Sequence, residues 1–136
     1  MIEHKTSVRV IYADTDAMGV VYHTNYIKWF EVGRCELLRG IGYPYARMEG
    51  AGLMLPVVEC GCKYRLPAVY DDLLEVTARI SELKAATVTL DYEIRRQETG
   101  ELLVTGFTKH GITDTNFKPV RLRNKNRELY DRLLEE

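Results

Sequence analysis

The sequence predicts an α+β protein in which one long helix packs against a five-stranded antiparallel sheet. Two observations lead to this prediction: one long amphipathic helical segment in the N-terminal third, and four long β-rich segments that follow it. The turns between these segments are too short to hold crossover helices, so the strands are expected to form an antiparallel meander. One helix covers one face of such a sheet, and a second subunit is expected on the other face or along an edge.

The chain is expected to form a single domain. Its 136 residues are typical of one domain, and no repeat, linker or low-complexity stretch interrupts them. Hydrophobic residues make up 46% and charged residues 29%, as in an ordinary globular protein. We therefore expect residues 1–136 to share one hydrophobic core.

A strand, a loop and a helix are predicted in this order at the N-terminus. Residues 6–13 alternate in strand fashion and place Tyr12 on the apolar face, where it could be part of the core. A polar loop leads into a helix over residues 24–39, with Thr24 or Asn25 as the expected N-cap. The apolar face of this helix is made by residues spaced three and four apart: Tyr26, Trp29, Phe30, Leu37, Leu38 and Ile41.

The rest of the chain is predicted to be mostly β-structure. Strands are expected at 54–66, 73–82, 86–97 and 101–114, which are rich in Val, Ile, Leu, Thr and Tyr. Turn-forming residues lie between each of these strands and the next. A charged amphipathic helix is expected at 124–135.

Composition narrows the classes of partner. Nineteen basic against twenty acidic residues give a formal net charge of -1, without the basic excess of a nucleic-acid-binding protein. Neither a signal peptide nor an apolar run of about 20 residues that could span a membrane is visible. The three cysteines are an odd number, and Cys60 and Cys62 are expected to be small buried residues on one face of a strand. These features favour a reducing, cytoplasmic location.

The residues best suited to catalysis lie between Tyr12 and Tyr26. This segment holds two carboxylates, an imidazole and three phenols directly before the N-terminus of the predicted helix. A helix N-terminus presents unpaired N–H groups and a partial positive charge, which stabilise a developing oxyanion. A nearby carboxylate such as Asp16 can attack an acyl carbon or activate water. The segment is therefore suited to acyl transfer.

A metal site is not expected in this segment. The run Asp14-x-Asp16-x-x-Gly19 begins like a calcium-binding loop. However, Met18 and Asn25 occupy positions where that loop needs oxygen ligands, the second of them a bidentate Glu. No metal or redox cofactor is predicted elsewhere.

The run D-x-D-x-x-G-x-V-x-H-x-x-Y, from Asp14 to Tyr26, resembles the signature of the 4-hydroxybenzoyl-CoA thioesterase family. It is most similar to the broad acyl-CoA thioesterase branch found beside the Tol-Pal envelope genes. The later segment Tyr64-Arg-Leu-Pro-Ala-Val-Tyr-Asp-Asp72 is similar to the same branch. The resemblance implies the hot-dog fold, in which an antiparallel five-stranded sheet wraps around one central helix. It also implies hydrolysis of an acyl-CoA thioester to a free acid and CoA.

The resemblance also implies roles for individual residues. Asp16 is the catalytic carboxylate, as nucleophile or general base, and Tyr12 and His23 match the Tyr and His of the broad branch. The N–H of His23 is expected to polarise the thioester carbonyl. The 4-hydroxybenzoyl branch usually has an aromatic residue at the position of His23, which argues against that substrate. Asp14 is expected to cap the turn.

Contacts to the CoA phosphates are expected from basic residues. Lys84 lies in a turn where the family often has a basic residue, and a basic cluster precedes the last helix: Lys118, Arg121, Arg123, Lys125 and Arg127. The resemblance further implies a homodimer or homotetramer with the active site at the subunit interface. His110 is expected to be a hydrogen-bonded strand histidine without a catalytic role.

Two other functions remain open. A hydratase or dehydratase of acyl thioesters could share the fold and also place His and Asp near the central helix, although with a different spacing from that of Asp16 and His23. A binding module for acyl-CoA or acyl-carrier protein could keep the fold without turnover. The presence of both Asp16 and His23 favours hydrolysis.

Overall fold

The computed structural model of the chain describes residues 1–135 and contains five strands and four helices within them. In chain order these are β1 (Glu3–Arg9), α1 (Thr24–Gly40), α2 (Tyr45–Gly50), β2 (Val57–Tyr64), β3 (Leu73–Leu83), β4 (Thr87–Arg96), β5 (Leu102–Gly111), α3 (Leu122–Lys125) and α4 (Arg127–Leu134). The predicted long helix and four later strands are present. The short helix α2 was not predicted, and the expected tail helix is divided into α3 and α4.

The strands form one antiparallel sheet in the order β1-β3-β4-β5-β2. The predicted meander is correct for β3, β4 and β5 but wrong for β2, which pairs with β5 at one edge. The segment 65–72 returns the chain from β2 to β3. Eight extended residues reach about 26 Å, which exceeds the roughly 14 Å occupied by two intervening strands and their gaps. The chain therefore needs no crossover helix here.

Helix α1 packs on one face of the sheet and forms the core with it. Alternate residues of the two central strands are buried beneath the helix: Leu74, Val76, Ala78, Ile80, Val88, Leu90, Tyr92 and Ile94. From its own side the helix buries Tyr26, Trp29, Phe30, Gly33 and Leu37. This is close to the predicted apolar face, with Leu38 and Ile41 only partly buried at the end of the helix.

Two glycines allow the helix to approach the sheet closely. A Cβ atom on Gly33 of α1 would lie 2.9 Å from Cγ1 of Val76 on β3. A Cβ atom on Gly106 of β5 would lie 2.5 Å from the Phe30 ring and 2.6 Å from the carbonyl oxygen of Gly61. The Phe30 ring consequently lies over Gly106 and stacks on Tyr92, with 4.4 Å between ring centroids and planes 8° apart.

The first strand ends earlier than predicted. Strand β1 stops at Arg9, and residues 12–14 form a short 3-10 turn instead of continuing the strand. The carboxylate of Asp14 accepts a hydrogen bond from the N–H of Ile11 at 3.0 Å, which favours the turn. As a result Tyr12 is 80% exposed. The expectation that it could be a core residue is wrong.

The expected burial of the cysteine pair is also wrong. Cys60 is exposed and Cys62 is partly buried, because β2 is an edge strand and has no neighbour on its outer side. The register with β5 places both thiols on the side of the sheet that faces α1. Nothing in residues 1–135 of this single chain covers Cys60.

A buried hydrogen-bond network joins β4, β5 and the segment before β2. His110 is fully buried, and its Nδ1 lies 3.0 Å from the carbonyl oxygen of Leu55. Because a carbonyl only accepts, Nδ1 carries the proton and Nε2 accepts from the Thr108 hydroxyl at 2.7 Å. Thr108 in turn accepts from Tyr92 at 2.7 Å. The prediction of a hydrogen-bonded strand histidine is confirmed.

Replacement of Gly106 by alanine is expected to destabilise the protein by about 1–3 kcal/mol. The added methyl group would collide with the Phe30 ring and with a backbone carbonyl that is fixed in the β2–β5 ladder. Urea unfolding followed by circular dichroism measures the change. Gly50→Ala is the matched control, because a Cβ atom there meets nothing within 4 Å. Equal midpoints for the two variants would contradict this packing account.

The stability of the protein should depend on pH through His110. Burial, opposed by the Leu55 hydrogen bond and helped by the charge of Arg34, lowers its pKa below the ordinary 6.5. The unfolded state therefore binds the proton first, so the stabilisation is complete above about pH 6.5 and is lost as the pH falls towards the lowered folded pKa.

A His110→Gln variant tests this dependence. At pH 7.5 the variant should be less stable than the wild type by about 1–3 kcal/mol, because buried partners lose hydrogen bonds. The difference in free energy of unfolding should shrink at pH 5.5, since only the wild type loses the stabilisation from a neutral His110. A difference that stays constant from pH 7.5 to 5.5 would show that His110 does not titrate differently in the folded state.

Candidate active site

The segment before α1 folds into a small hairpin that carries Asp16. The N–H of Tyr22 donates to the carbonyl of Asp14 at 2.8 Å, and the N–H of Asp16 donates to the carbonyl of Val20 at 2.8 Å. The N–H of Gly19 closes the turn by donating to the carbonyl of Asp16 at 3.0 Å. Gly19 has φ of +81°, a left-handed conformation that glycine adopts without strain. The sequence thus fixes Asp16 at the entry to a tight turn.

The carboxylate of Asp16 is partly buried and held in one orientation. Its Oδ1 accepts a hydrogen bond from the N–H of Met18 at 2.8 Å, as in an Asx turn. No hydrogen bond or ion pair from another side chain of residues 1–135 engages the carboxylate. It is therefore available to a ligand as base or nucleophile.

The hairpin leads directly into the N-terminus of α1. His23 precedes the helix and has helical dihedral angles, with no side chain capping the helix. The expected cap at Thr24 or Asn25 is wrong, because the Asn25 amide donates to the carbonyl of Asp14 at 2.9 Å instead. Within the described residues, the backbone N–H groups of His23 and Thr24 donate to no other group. They lie at the positive end of a helix of 17 residues.

One wall of the site comes from the edge strand β2. The Tyr64 hydroxyl donates to the carbonyl of His23 at 3.4 Å, and the two rings meet edge-on with centroids 6.1 Å apart. Desolvation of the hydroxyl, followed by its hydrogen bond with the Cys62 thiol, raises the pKa of Tyr64 to about 12. Tyr64 therefore stays a neutral hydrogen-bond donor at physiological pH.

The return segment 65–72 closes the other side of the site. The buried Tyr26 hydroxyl of α1 accepts a hydrogen bond from the N–H of Ala68 at 3.2 Å, and desolvation raises the pKa of this phenol. The N–H of Val21 donates to the carbonyl of Ala68 at 2.9 Å, and Val20 pairs with Val69. The segment thus joins the Asp16 hairpin to the end of the sheet.

Exposed apolar side chains surround the Asp16 hairpin. Tyr12 lies against Tyr70 with ring centroids 6.1 Å apart, and Tyr22 lies against His23 at 4.6 Å. The exposed residues that form this surface, here called the apolar rim, are Tyr12, Met18, Tyr22, Tyr64, Leu66, Val69 and Tyr70. A contiguous exposed surface of this kind is typical of a binding interface.

Asp16, His23 and Tyr12 are brought to one end of the sheet, but Lys84 is not. Lys84 lies in the turn after β3, where its ammonium group is 3.5 Å from Glu82. Strand β3 begins beside the hairpin end and has 11 residues, so its two ends are about 33 Å apart. The basic cluster lies beside Lys84, because the N–H of Leu122 donates to the carbonyl of Ala85. The two predicted phosphate contacts are therefore neighbours, far from Asp16 of the same chain.

Two residues of the site give no sequence signal of their own. Tyr64 lies in the segment that resembles the thioesterase branch, but its contact with His23 depends on the placement of β2 at the edge. Lys28 forms an ion pair with Asp14 at 2.9 Å. The two residues are 14 positions apart in the sequence, so no local pattern predicts their contact. Among residues 1–135, no group of three or more His, Cys, Asp or Glu side chains is placed to hold a metal ion.

The fold is that of a hot-dog thioesterase. Residues 10–128 match the model of the thioesterase-like superfamily, and the chain belongs to this superfamily. The predictions of the hot-dog fold and of the wider family are thereby confirmed. Among residues 1–135, no helix has both the length and the apolar character that crossing a membrane requires.

Similar proteins share most of the length of the chain. It is 36% identical to YneP of Bacillus subtilis over 88% of this chain and 86% of that protein. It is 40% identical to the acyl-CoA thioesterase YbgC of Haemophilus influenzae over 65% of this chain and 66% of that protein. The crystal structure of DHNA-CoA thioesterase from Staphylococcus aureus superimposes with a TM-score of 0.88 and 33% identity, covering 96% of this chain and 88% of that chain.

Proposed function

We propose that the protein hydrolyses acyl-CoA thioesters and that Asp16 is its catalytic carboxylate. One observation supports this assignment most strongly: an oriented carboxylate without a side-chain partner stands on a hairpin that leads into the free N–H groups at the start of α1. Acyl-CoA hydrolysis needs both parts, because a nucleophile attacks the acyl carbon while negative charge develops on the carbonyl oxygen. The acyl-CoA thioesterases among the similar proteins support the same substrate class.

The reaction follows either of two routes at this site. As a general base, Asp16 takes a proton from a water molecule, and the resulting hydroxide attacks the thioester carbon. As a nucleophile, Asp16 attacks the carbon itself and displaces the CoA thiolate, and water then cleaves the resulting mixed anhydride. In both routes the oxyanion is stabilised by the N–H of His23 at the helix N-terminus. In both routes the first tetrahedral intermediate collapses by breaking the carbon–sulfur bond, and the released CoA thiolate takes up a proton.

His23 and Tyr12 are proposed to contact the substrate. The imidazole of His23 is exposed beside Tyr22 and Tyr64, and Tyr12 projects from the apolar rim. The presence of both residues supports the broad acyl-CoA branch found beside the Tol-Pal genes over the 4-hydroxybenzoyl branch. The three free cysteines fit a cytoplasmic location.

The active site is proposed to be completed by a second copy of the chain. The apolar rim surrounds Asp16, and the adjacent edge strand β2 exposes Val57 and Val58 together with unpaired backbone groups. An open edge strand of this kind is suited to pairing with another strand. A homodimer formed there, or a homotetramer built from two dimers, would cover the rim and enclose the thioester.

Lys84 is proposed to bind the CoA phosphates of a site in another copy. The distance along β3 separates it from Asp16 of its own chain, whereas an assembly can bring the basic end of one copy to the site of another. The neighbouring basic cluster supplies further positive charge at the same end.

Asp16→Asn is expected to lower kcat by at least about a hundredfold, because an amide neither attacks the thioester nor accepts a proton from water. Thiol release should be measured on acyl-CoAs from acetyl to palmitoyl and on benzoyl-type thioesters, after subtraction of the protein's own thiols. Glu36→Gln on α1 is the matched control, since this carboxylate pairs with Arg39 near the C-terminal end of the helix. The control should keep wild-type turnover.

Two results would contradict the assignment. Full activity in Asp16→Asn would remove Asp16 from the mechanism. A wild type that binds the whole panel without releasing thiol would favour a binding module, and hydration of an enoyl-CoA in its place would favour a hydratase.

Lys84→Ala is expected to raise KM by up to about fivefold with kcat unchanged, since one exposed ion pair contributes at most about 1 kcal/mol. The effect should fade at 0.5 M salt, because screening weakens exposed charge pairs. A KM that equals that of the wild type at low salt would remove Lys84 from the phosphate site.

A further inference from the structure

The Asp16 hairpin is attached to α1 through Asp14. Asp14 is 5% exposed, and its Oδ1 accepts a hydrogen bond from the ammonium group of Lys28 at 2.9 Å. Its Oδ2 accepts from the N–H of Ile11, and its carbonyl accepts from both Tyr22 and Asn25. All the hydrogen-bonding oxygens of Asp14 are thus used to fix one position of the chain.

These contacts set the orientation of the hairpin with respect to the helix. Asp14 lies two residues before Asp16, at the base of the hairpin, and Lys28 lies on the second turn of α1. Its ammonium group is also 5.5 Å from the centroid of the Trp29 ring, which is itself buried against the core. The free N–H groups lie at the start of α1, and Lys28 lies on its second turn. The ion pair therefore ties the hairpin that carries Asp16 to the helix that carries the proposed oxyanion site.

We propose that Asp14 and Lys28 are positioning residues, whose ion pair holds the Asp16 carboxylate at the correct distance from the N-terminus of α1. This inference rests on the proposed role of Asp16. The Lys28 side chain is 51% exposed, but that of Asp14 is 6% exposed, so loss of Lys28 leaves a nearly buried carboxylate without its charge partner. The hairpin then loses its fixed position, and small displacements of a reacting group are costly to catalysis.

Lys28→Met tests the proposal, because methionine keeps most of the length of the side chain and removes its charge. The variant is expected to lose roughly tenfold or more in kcat, with KM within about twofold of the wild type because the substrate surface is unchanged. Lys28→Arg should regain most of the activity. Arg39→Met, which breaks the exposed Arg39–Glu36 pair at the other end of α1, is the matched control and should keep wild-type kcat.

A double-variant measurement separates positioning from general damage. If Lys28 acts through Asp16, adding Lys28→Met to Asp16→Asn should cause no further loss of kcat. Amide hydrogen exchange should be faster at residues 14–22 in Lys28→Met and unchanged in the central strands. Asp14→Asn, which keeps the shape of the side chain, should reproduce the loss of kcat.

The outcomes distinguish this inference from the proposed function. The positioning role is overturned if Lys28→Met keeps the wild-type kcat. It is also overturned if Lys28→Met lowers kcat by the same factor in the wild type and in Asp16→Asn. The role of Asp16 stands in both cases. Full activity in Asp16→Asn overturns both. The positioning role of the ion pair is supported by three results together. Lys28→Met lowers kcat, Lys28→Arg restores it, and Lys28→Met causes no further loss in the Asp16→Asn background.

Discussion

The close approach of helix α1 to the sheet is the constraint on which the rest of the structure depends. Gly33 on the helix and Gly106 on β5 leave room for Val76 and Phe30, so the helix lies directly on the central strands. A larger residue at either position would push the helix outward. Since the free N–H groups stand at the first turn of this helix, the same packing that forms the core also fixes the site relative to the edge strand.

The site combines rigid and open parts. The hairpin, the helix terminus and the return segment are tied together by backbone hydrogen bonds, which keeps the Asp16 carboxylate oriented before any substrate binds. Preorganised groups of this kind stabilise a transition state without having to rearrange. The apolar rim and the edge of β2 remain uncovered in one copy of the chain. The proposed second copy would exclude water from them and strengthen the electrostatic contribution of the helix terminus.

Periodicity predicted the elements that are defined by local pattern, such as the apolar face of α1 and the central strands. It failed where contacts between residues far apart in the sequence determine the structure. Tyr12 alternates like a core residue, yet the Asp14 carboxylate ends the strand before it and turns it outward. Cys60 has the pattern of a buried strand residue, but β2 lies at an edge, which only the non-local pairing with β5 establishes. The role of Lys84 was predicted from the resemblance, and a resemblance in sequence does not give the distance between Lys84 and Asp16.

A crystal structure with a non-hydrolysable acyl-CoA analogue, in which a methylene group replaces the thioester sulfur, tests the central claim most directly. The account predicts that the analogue's carbonyl oxygen lies within about 3 Å of the N–H of His23, with the carbonyl carbon facing the carboxylate of Asp16. It also predicts that a second copy of the chain encloses the acyl group. An acyl carbonyl bound away from the Asp16 hairpin, for example in the groove that Lys5, Arg79, Glu93 and Arg95 line on the outer face of the sheet, would contradict the account.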